Sequence, residues 1–232
     1  MEEGFSVSRY SKYVGLLLPA TDIQLEDDMH ERVSGARICT ARMPLRDVSV
    51  EAEREMVHVE LPAASRRVAG IPLNVVVFGC TSASVVDGDE SLQFVHRTMQ
   101  EITGAESVSV FRSVLDEIAE QGLTRLLVLT PYPEPVTAKL VETLRDYGVQ
   151  VVDAFGLGIS EDIEIGRVSI ERLEGFAREH FDKGRHDGVF ISCTNLPAAA
   201  ESLAETLGVP VITSNGATCR RVQRLVSTLA SA

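Results

Sequence analysis

The 232-residue chain has no tryptophan, and its aromatic residues amount to only 5% of the sequence. Its core must therefore be built from aliphatic side chains. It has four cysteines, Cys39, Cys80, Cys193 and Cys219, and no C-x-x-C pair. That excludes the usual spacings for zinc, iron–sulfur or dithiol redox sites, and a disulfide framework is not expected of so few, widely spread thiols. No apolar run approaches the roughly 20 residues that cross a bilayer. The amino-terminal "MEEGFSVSRYSKY" contains no apolar signal region, so a cytoplasmic chain with no membrane attachment is expected. Basic residues are scarce. Lys and Arg number 22 against 34 Asp and Glu, giving a formal charge of −12. A nucleic-acid partner is excluded on that ground, since it needs a basic face.

What the chain does have is alternation. Short β-rich runs are predicted as strands near 14–18, 36–41, 74–79, 107–110, 126–130, 150–154, 188–192 and 209–213. Several are apolar nearly throughout, as strands buried on both faces are. Amphipathic segments lie between them. One, "SVEAEREMVHVELPAASRRVA", is interrupted by Pro62. Gly122, Gly148, Gly184 and Gly208 stand where helices are expected to stop. Strand–helix alternation predicts an α/β fold of parallel sheets flanked by helices.

The chain also repeats. "VGLLLPATDI" resembles "RLLVLTPYPEP", and "GARICTA" resembles "GVQVVDA". "FGCTSAS" resembles "ISCTNLP", again about 113 positions apart. Two pseudo-symmetric α/β halves are expected, each a four-stranded parallel sheet: residues 1–110, with the C-terminal helix packing on it, and residues 111–232. Ligands of open parallel sheets sit beyond the carboxyl ends of the strands. The turns there are "PATD", "CTSAS", "PYP" and "CTN". They should meet in one cleft between the halves.

Cys80 and Cys193 each end a predicted strand and precede a predicted helix, a setting that lowers a thiol pKa. Thr81, Ser82 and Ser84 follow one, Thr194 and Asn195 the other. These side chains and the turn N–H groups could bind a carboxylate without Lys or Arg, which none of the four turns contains. Two thiols across one carbon suit proton removal and return on opposite faces, or addition to a double bond, rotation and elimination. Neither route needs a cofactor. Cys39 and Cys219 read as small hydrophobes. The five histidines, His30, His58, His96, His180 and His186, form no i, i+4 pair or H-E-x-x-H motif and read as surface or helix-face residues. "DGDES" lacks calcium-loop spacing. "GLGISEDIEIG" reads as a mobile loop over the site, of the kind that excludes water from reactive adducts.

"CTSAS" and "SCTNLP", with "TPY" before a helix and "ARMPL" after the second strand, resemble the aspartate/glutamate racemase superfamily. The resemblance spans nearly the whole chain and is greatest to the maleate cis–trans isomerase branch; the ectoine-utilisation branch is similar too. It implies two Rossmann-like halves and a cleft site with no metal and no organic cofactor, acting on a small carboxylate or amino-acid-like substrate; separately, an apolar helix face could serve a homo-oligomer. By the resemblance Cys80 is the nucleophile and Cys193 the acid/base thiol. Tyr132 matches a substrate-bonding tyrosine, and Thr81, Ser82, Thr194 and Asn195 match carboxylate-binding positions. The arylmalonate decarboxylase branch lacks the first cysteine, so decarboxylation is not expected here.

Two positions depart from the maleate isomerase pattern. In "PATD", which supplies Thr21 and Asp22, Asp22 stands where that branch has asparagine; Asp162 in "SEDIEIGR" does the same. An ionised carboxylate repels a carboxylate by about 4 kcal/mol at about 4 Å and an effective dielectric near 20. The expectations are therefore a maleate-isomerase-like reaction, with racemisation of an amino-acid or ectoine-derived compound as the alternative. A third reading is a ligand-binding member, without turnover, in ectoine catabolism.

Overall fold

The structure is a computed structural model that describes residues 10–229. The amino-terminal residues 1–9, read above for targeting, and residues 230–232 lie outside the described residues. The first sheet runs in the order β2 (Arg37–Met43), β1 (Tyr13–Pro19), β3 (Val75–Phe78), β4 (Glu106–Ser109). The second repeats that order as β6 (Val151–Gly156), β5 (Leu126–Thr130), β7 (Gly188–Ile191), β8 (Val211–Thr213). Every pairing is parallel. All eight predicted strands form, with ends shifted by no more than two residues. The central strands β3, "VVVF", and β5, "LLVLT", are wholly buried, as a sheet covered on both faces requires. The edge strand β2, "RICTARM", is exposed or half-buried through its first four residues and alternates only from Thr40 on.

Helix ends follow their capping chemistry. Helices α5 (Val110–Glu120), α8 (Ile170–His180) and α10 (Ser214–Thr228) start on Ser109, Ser169 and Thr213, whose hydroxyls accept from the amides three residues on. Gly208 ends α9 (Leu203–Leu207) with φ +69, a left-handed conformation that suits glycine. Gly184 caps nothing, because α8 has already stopped at His180.

Pro62 does not break its helix. Helix α2 (Val50–Glu55) passes through a π turn, Met56–Glu60, directly into α3 (Leu61–Val68). A proline ring clashes with the carbonyl four residues back, here that of His58. The wider turn relieves that clash, and Pro62 sits near the start of α3, where its missing N–H costs little.

Two apolar cores form. One is made entirely from residues of the first half, with Cys80 at its edge. The other is continuous across both halves and includes Cys193. Helix α10 joins the halves, packing against α5 and also against α1 (Gln24–Arg32). Its Val226 carbonyl accepts from Lys12 at 2.8 Å, and its Gln223 side chain accepts from the Ser34 amide at 2.7 Å. Among the described residues no helix is long and apolar enough to cross a membrane.

One histidine departs from expectation. His186 is buried. Its Nδ1 accepts from the Asp182 amide at 3.1 Å, so Nε2 is left to donate to Asp153 at 2.8 Å. It ties the approach to β7 onto β6 and faces away from the cleft chemistry.

Candidate active site

The equivalent strands β3 and β7 end one residue before Gly79 and Ser192, and two before Cys80 and Cys193. The carboxyl edges of the two sheets face one another, and within each half a glycine beside the site has no room for a side chain. A Cβ on Gly79 would come within 2.8 Å of Leu25 and 3.1 Å of the Leu17 carbonyl. A Cβ on Gly166, just past the short helix α7 (Asp162–Ile165), would come within 3.0 Å of the Asn195 amide oxygen.

All ten candidate residues come together here. Thr194 donates to the Gly79 carbonyl at 3.2 Å, binding the second cysteine turn to the first. Thr21 donates to Asp162 at 2.5 Å. The Asn195 amide donates to the Asp162 carbonyl at 2.8 Å and to its carboxylate at 3.3 Å, while its oxygen accepts from the Ile23 amide. Asp22 Oδ1 accepts from the Leu25 amide in the first turn of α1, a capping role, but Oδ2 is buried with no hydrogen-bond partner. Tyr132 is buried, its hydroxyl 3.4 Å from Ser192 Oγ. Burial pushes the Tyr132 phenol well up, and the Cys193 and Cys80 charges add to this. The turns that carry Cys80 and Cys193 meet at the Thr194 bond to the Gly79 carbonyl.

The segment 156–166, expected as a mobile loop over the site, instead holds the end of β6 and the helix α7, and residues 157–160 between them are strapped in place. Amides among them bond to the carbonyls of Thr130, Pro131 and Tyr132, and the Ser160 carbonyl accepts from Val48 of the other half at 2.8 Å.

The electrostatics depart from the expectation of low-pKa thiols. No α-helix starts at either cysteine: Cys80 leads into a turn and the 3₁₀ turn Ala83–Val85, and α4 (Asp89–Thr103) begins later. Cys193 leads into a turn and a second 3₁₀ turn, Ala198–Ser202. Burial pushes the Cys80 thiol well up and the Glu53 charge adds to this, against the Ala83 amide and the Ser82 hydroxyl. Burial likewise raises Cys193, with the Asp162 and Asp22 charges adding, against the Asn195 amide and the Tyr132 hydroxyl. Asp22 is raised by burial to about 7, with Asp162 adding, against Thr194 and the Leu25 amide. Burial also raises Asp162, against its bonds from Thr21 and Asn195. Cys193 has φ +153, the one positive φ outside glycine among the described residues, and this marks a strained position at the centre of the site.

Two residues were missed from sequence. Glu53, on α2, is 2% exposed and its carboxylate lies 2.5 Å from Ser82 Oγ. A signal existed: Glu53 precedes Met56 and Val57 by three and four positions, on the stripe that the helix buries. Ser214, the first residue of α10, accepts from both Thr81 Oγ1 at 2.9 Å and the Cys193 amide at 3.1 Å. It follows β8, whose turn lies on the same carboxyl edge as the four considered above. Of the other cysteines, Cys219 is buried on α10 with its sulfur 3.6 Å from that of Met29, and Cys39 is partly buried on β2.

The arylmalonate decarboxylase family profile matches residues 14–232. The chain belongs to that family. It is similar to maleate isomerases, such as that of Alcaligenes faecalis, 24% identical over 223 residues (87% of this chain, 85% of the relative). The maleate isomerase of Nocardia farcinica is 25% identical over 220 residues, covering 87% and 84% of the two chains. Among solved structures, a mutant of the Nocardia farcinica maleate cis–trans isomerase with a covalently bound succinylcysteine intermediate superposes with a TM-score of 0.85. It is 21% identical and covers 93% of each chain. Arylmalonate decarboxylase superposes at 0.77, with 23% identity over 94% of each chain. At these identities the structures establish a shared fold; this family's architecture of paired parallel sheets is the one described above.

Proposed function

We propose that the protein is a cofactor-independent, two-cysteine isomerase of a small carboxylate, acting as its maleate isomerase relatives are named to act. The observation that carries this reading is the meeting of the two cysteine turns: Thr194 donates to the Gly79 carbonyl, and Ser214 accepts from both Thr81 and the Cys193 amide. Cys80 as thiolate adds to one alkene carbon, forming a C–S bond, while the Cys193 thiol delivers its proton to the neighbouring carbon. The former double bond is now single and rotates. Cys193 then removes a proton, the C–S bond breaks, and the other geometric isomer leaves with both thiols restored. The relative with a covalent succinylcysteine supports this order of steps. The turn amides after each cysteine hold the carboxylates, and the amino end of α10, through Ser214, favours negative charge at that edge.

One observation favours a second reading. Asp22 presents a buried oxygen with no partner, and Asp162 lies beside it. Carboxylates there suit a substrate with an ammonium group, whose α-carbon the same thiols would racemise. Proton NMR in D₂O with maleate and with D- and L-aspartate, beside Cys80→Ala and Cys193→Ala, separates the readings. Fumarate formed from maleate and lost in both variants supports the isomerase. Deuterium entering the α-carbon supports racemisation. Binding with no turnover of any substrate would overturn both and leave a ligand-binding protein.

A further inference from the structure

We propose that Glu53, acting through Ser82, is the positioning residue that decides whether Cys80 can ionise. This rests on Cys80 being the reactive thiol, but not on which substrate it attacks.

The argument starts from one hydroxyl proton. Ser82 Oγ donates to Glu53 Oε1 at 2.5 Å, and the same hydroxyl, two residues past Cys80, holds that thiol's pKa down against burial. A serine has a single proton to donate. When Glu53 is a neutral acid it can donate to Ser82, which then turns its own proton to the Cys80 sulfur and stabilises the thiolate. When Glu53 is ionised it takes the Ser82 proton for itself. The sulfur keeps only the Ala83 amide and faces a negative charge across a buried space. Cys80 and Glu53 therefore resist being charged together.

The surroundings reinforce this exclusion. Cys80 and Ser82 face Glu53 from the β3 turn, and the Asp162 charge on α7 acts on it from the second half. Among the described residues no Lys or Arg side chain bonds to Glu53. The adjacent Arg54 turns outward to pair with Asp87, which also has His58 nearby. Burial raises Glu53 to about 8, against the Ser82 bond and with Asp162 adding. Near neutral pH the acid form therefore prevails. The π turn that follows Glu53 fits this placement, since such turns recur at functional sites.

The consequence is a pH profile. Below about pH 8 the Cys80 thiolate fraction should rise tenfold per pH unit. Above it, each proton lost from Cys80 must be matched by one gained at Glu53, so the rise should level off. The test is alkylation of Cys80 by iodoacetamide in the full-length protein between about pH 6 and pH 10, read by peptide mass spectrometry with Cys39 as internal reference. The infrared S–H stretch, assigned with Cys80→Ser, reads the same titration without reagent access. Wild type should break near pH 8. Glu53→Gln keeps a donor to Ser82 and carries no charge, so its rate should keep climbing, roughly tenfold above wild type one unit past the break. Below the break, where Ser82 serves the sulfur, Ser82→Ala should lower Cys80 reactivity. A wild-type profile with no break, an unchanged break in Glu53→Gln, or unaltered reactivity in Ser82→Ala would each overturn the proposal. A break without substrate turnover would sink the isomerase reading and leave this one standing; turnover without a break would do the reverse.

Discussion

At the scale of single residues the site is short of positive charge and crowded with acids. Replacing Cys80 or Cys193 by Ala should lower kcat/KM by about 10²–10⁴, the usual contribution of a proton-transfer or nucleophilic group. Steady-state kinetics on the active substrate measures this. The two asparagine-replacing acids call for a different test. Asp22→Asn keeps the oxygen that accepts from the Leu25 amide and removes a charge beside Cys193. At about pH 8, where Asp22 is ionised, the variant should bind maleate roughly tenfold or more tightly than wild type. Below about pH 6 the difference should largely vanish. Calorimetric titration at the two pH values reads both. Weaker maleate binding in the variant would mean that Asp22 meets a donor on the ligand.

At the scale of elements the repeat was the most legible signal. Cys80 and Cys193 were found because the same dipeptide ends two similar apolar runs, and β3 and β7 place them equivalently. Pro62 misled because proline punctuates helices locally, while the relief came from a π turn that sequence periodicity does not reveal. Glu53 was hidden because a carboxylate on a helix is ordinarily solvated, and only tertiary packing shows which face is buried. Low thiol pKa values were expected from strand–helix junctions, yet turns intervene and desolvation prevails. Ser214 shows how an element from one end of the chain completes the site. Ser214→Ala removes the acceptor for Thr81 and leaves the Cys193 amide buried and unpaired. A loss of about 1–3 kcal/mol is expected, read as a lower urea midpoint with an unchanged m-value.

At the scale of the molecule the buried acids set a slope of stability against pH. Asp22 and Glu53 are raised from 3.8 and 4.5 to about 7 and 8. Between those limits the folded state keeps protons that the unfolded chain has released. Their contribution is fully present below about pH 4, is lost as pH rises, and changes no further above about pH 8. The slope is about 1.4 kcal/mol per unit for each group inside its window. His96, lowered by burial, acts in the opposite sense, so the useful quantity is the difference from Asp22→Asn/Glu53→Gln. Urea denaturation from about pH 5 to pH 8.5 should show the double variant gaining on wild type as pH rises. A constant difference would contradict the assignment of both acids.

Helix α10 has a bearing on how the protein comes into being. It follows all eight strands in the sequence, yet it packs on α1 near the beginning and supplies the hydroxyl that joins the two cysteine turns. During synthesis the first sheet can form early, since amino-terminal units fold first. Its cysteine turn then waits without its counterpart. Of the bonds that join the two turns, the one from Thr194 to the Gly79 carbonyl needs nothing beyond the turn after β7, whereas the two through Ser214 wait until α10 has been made.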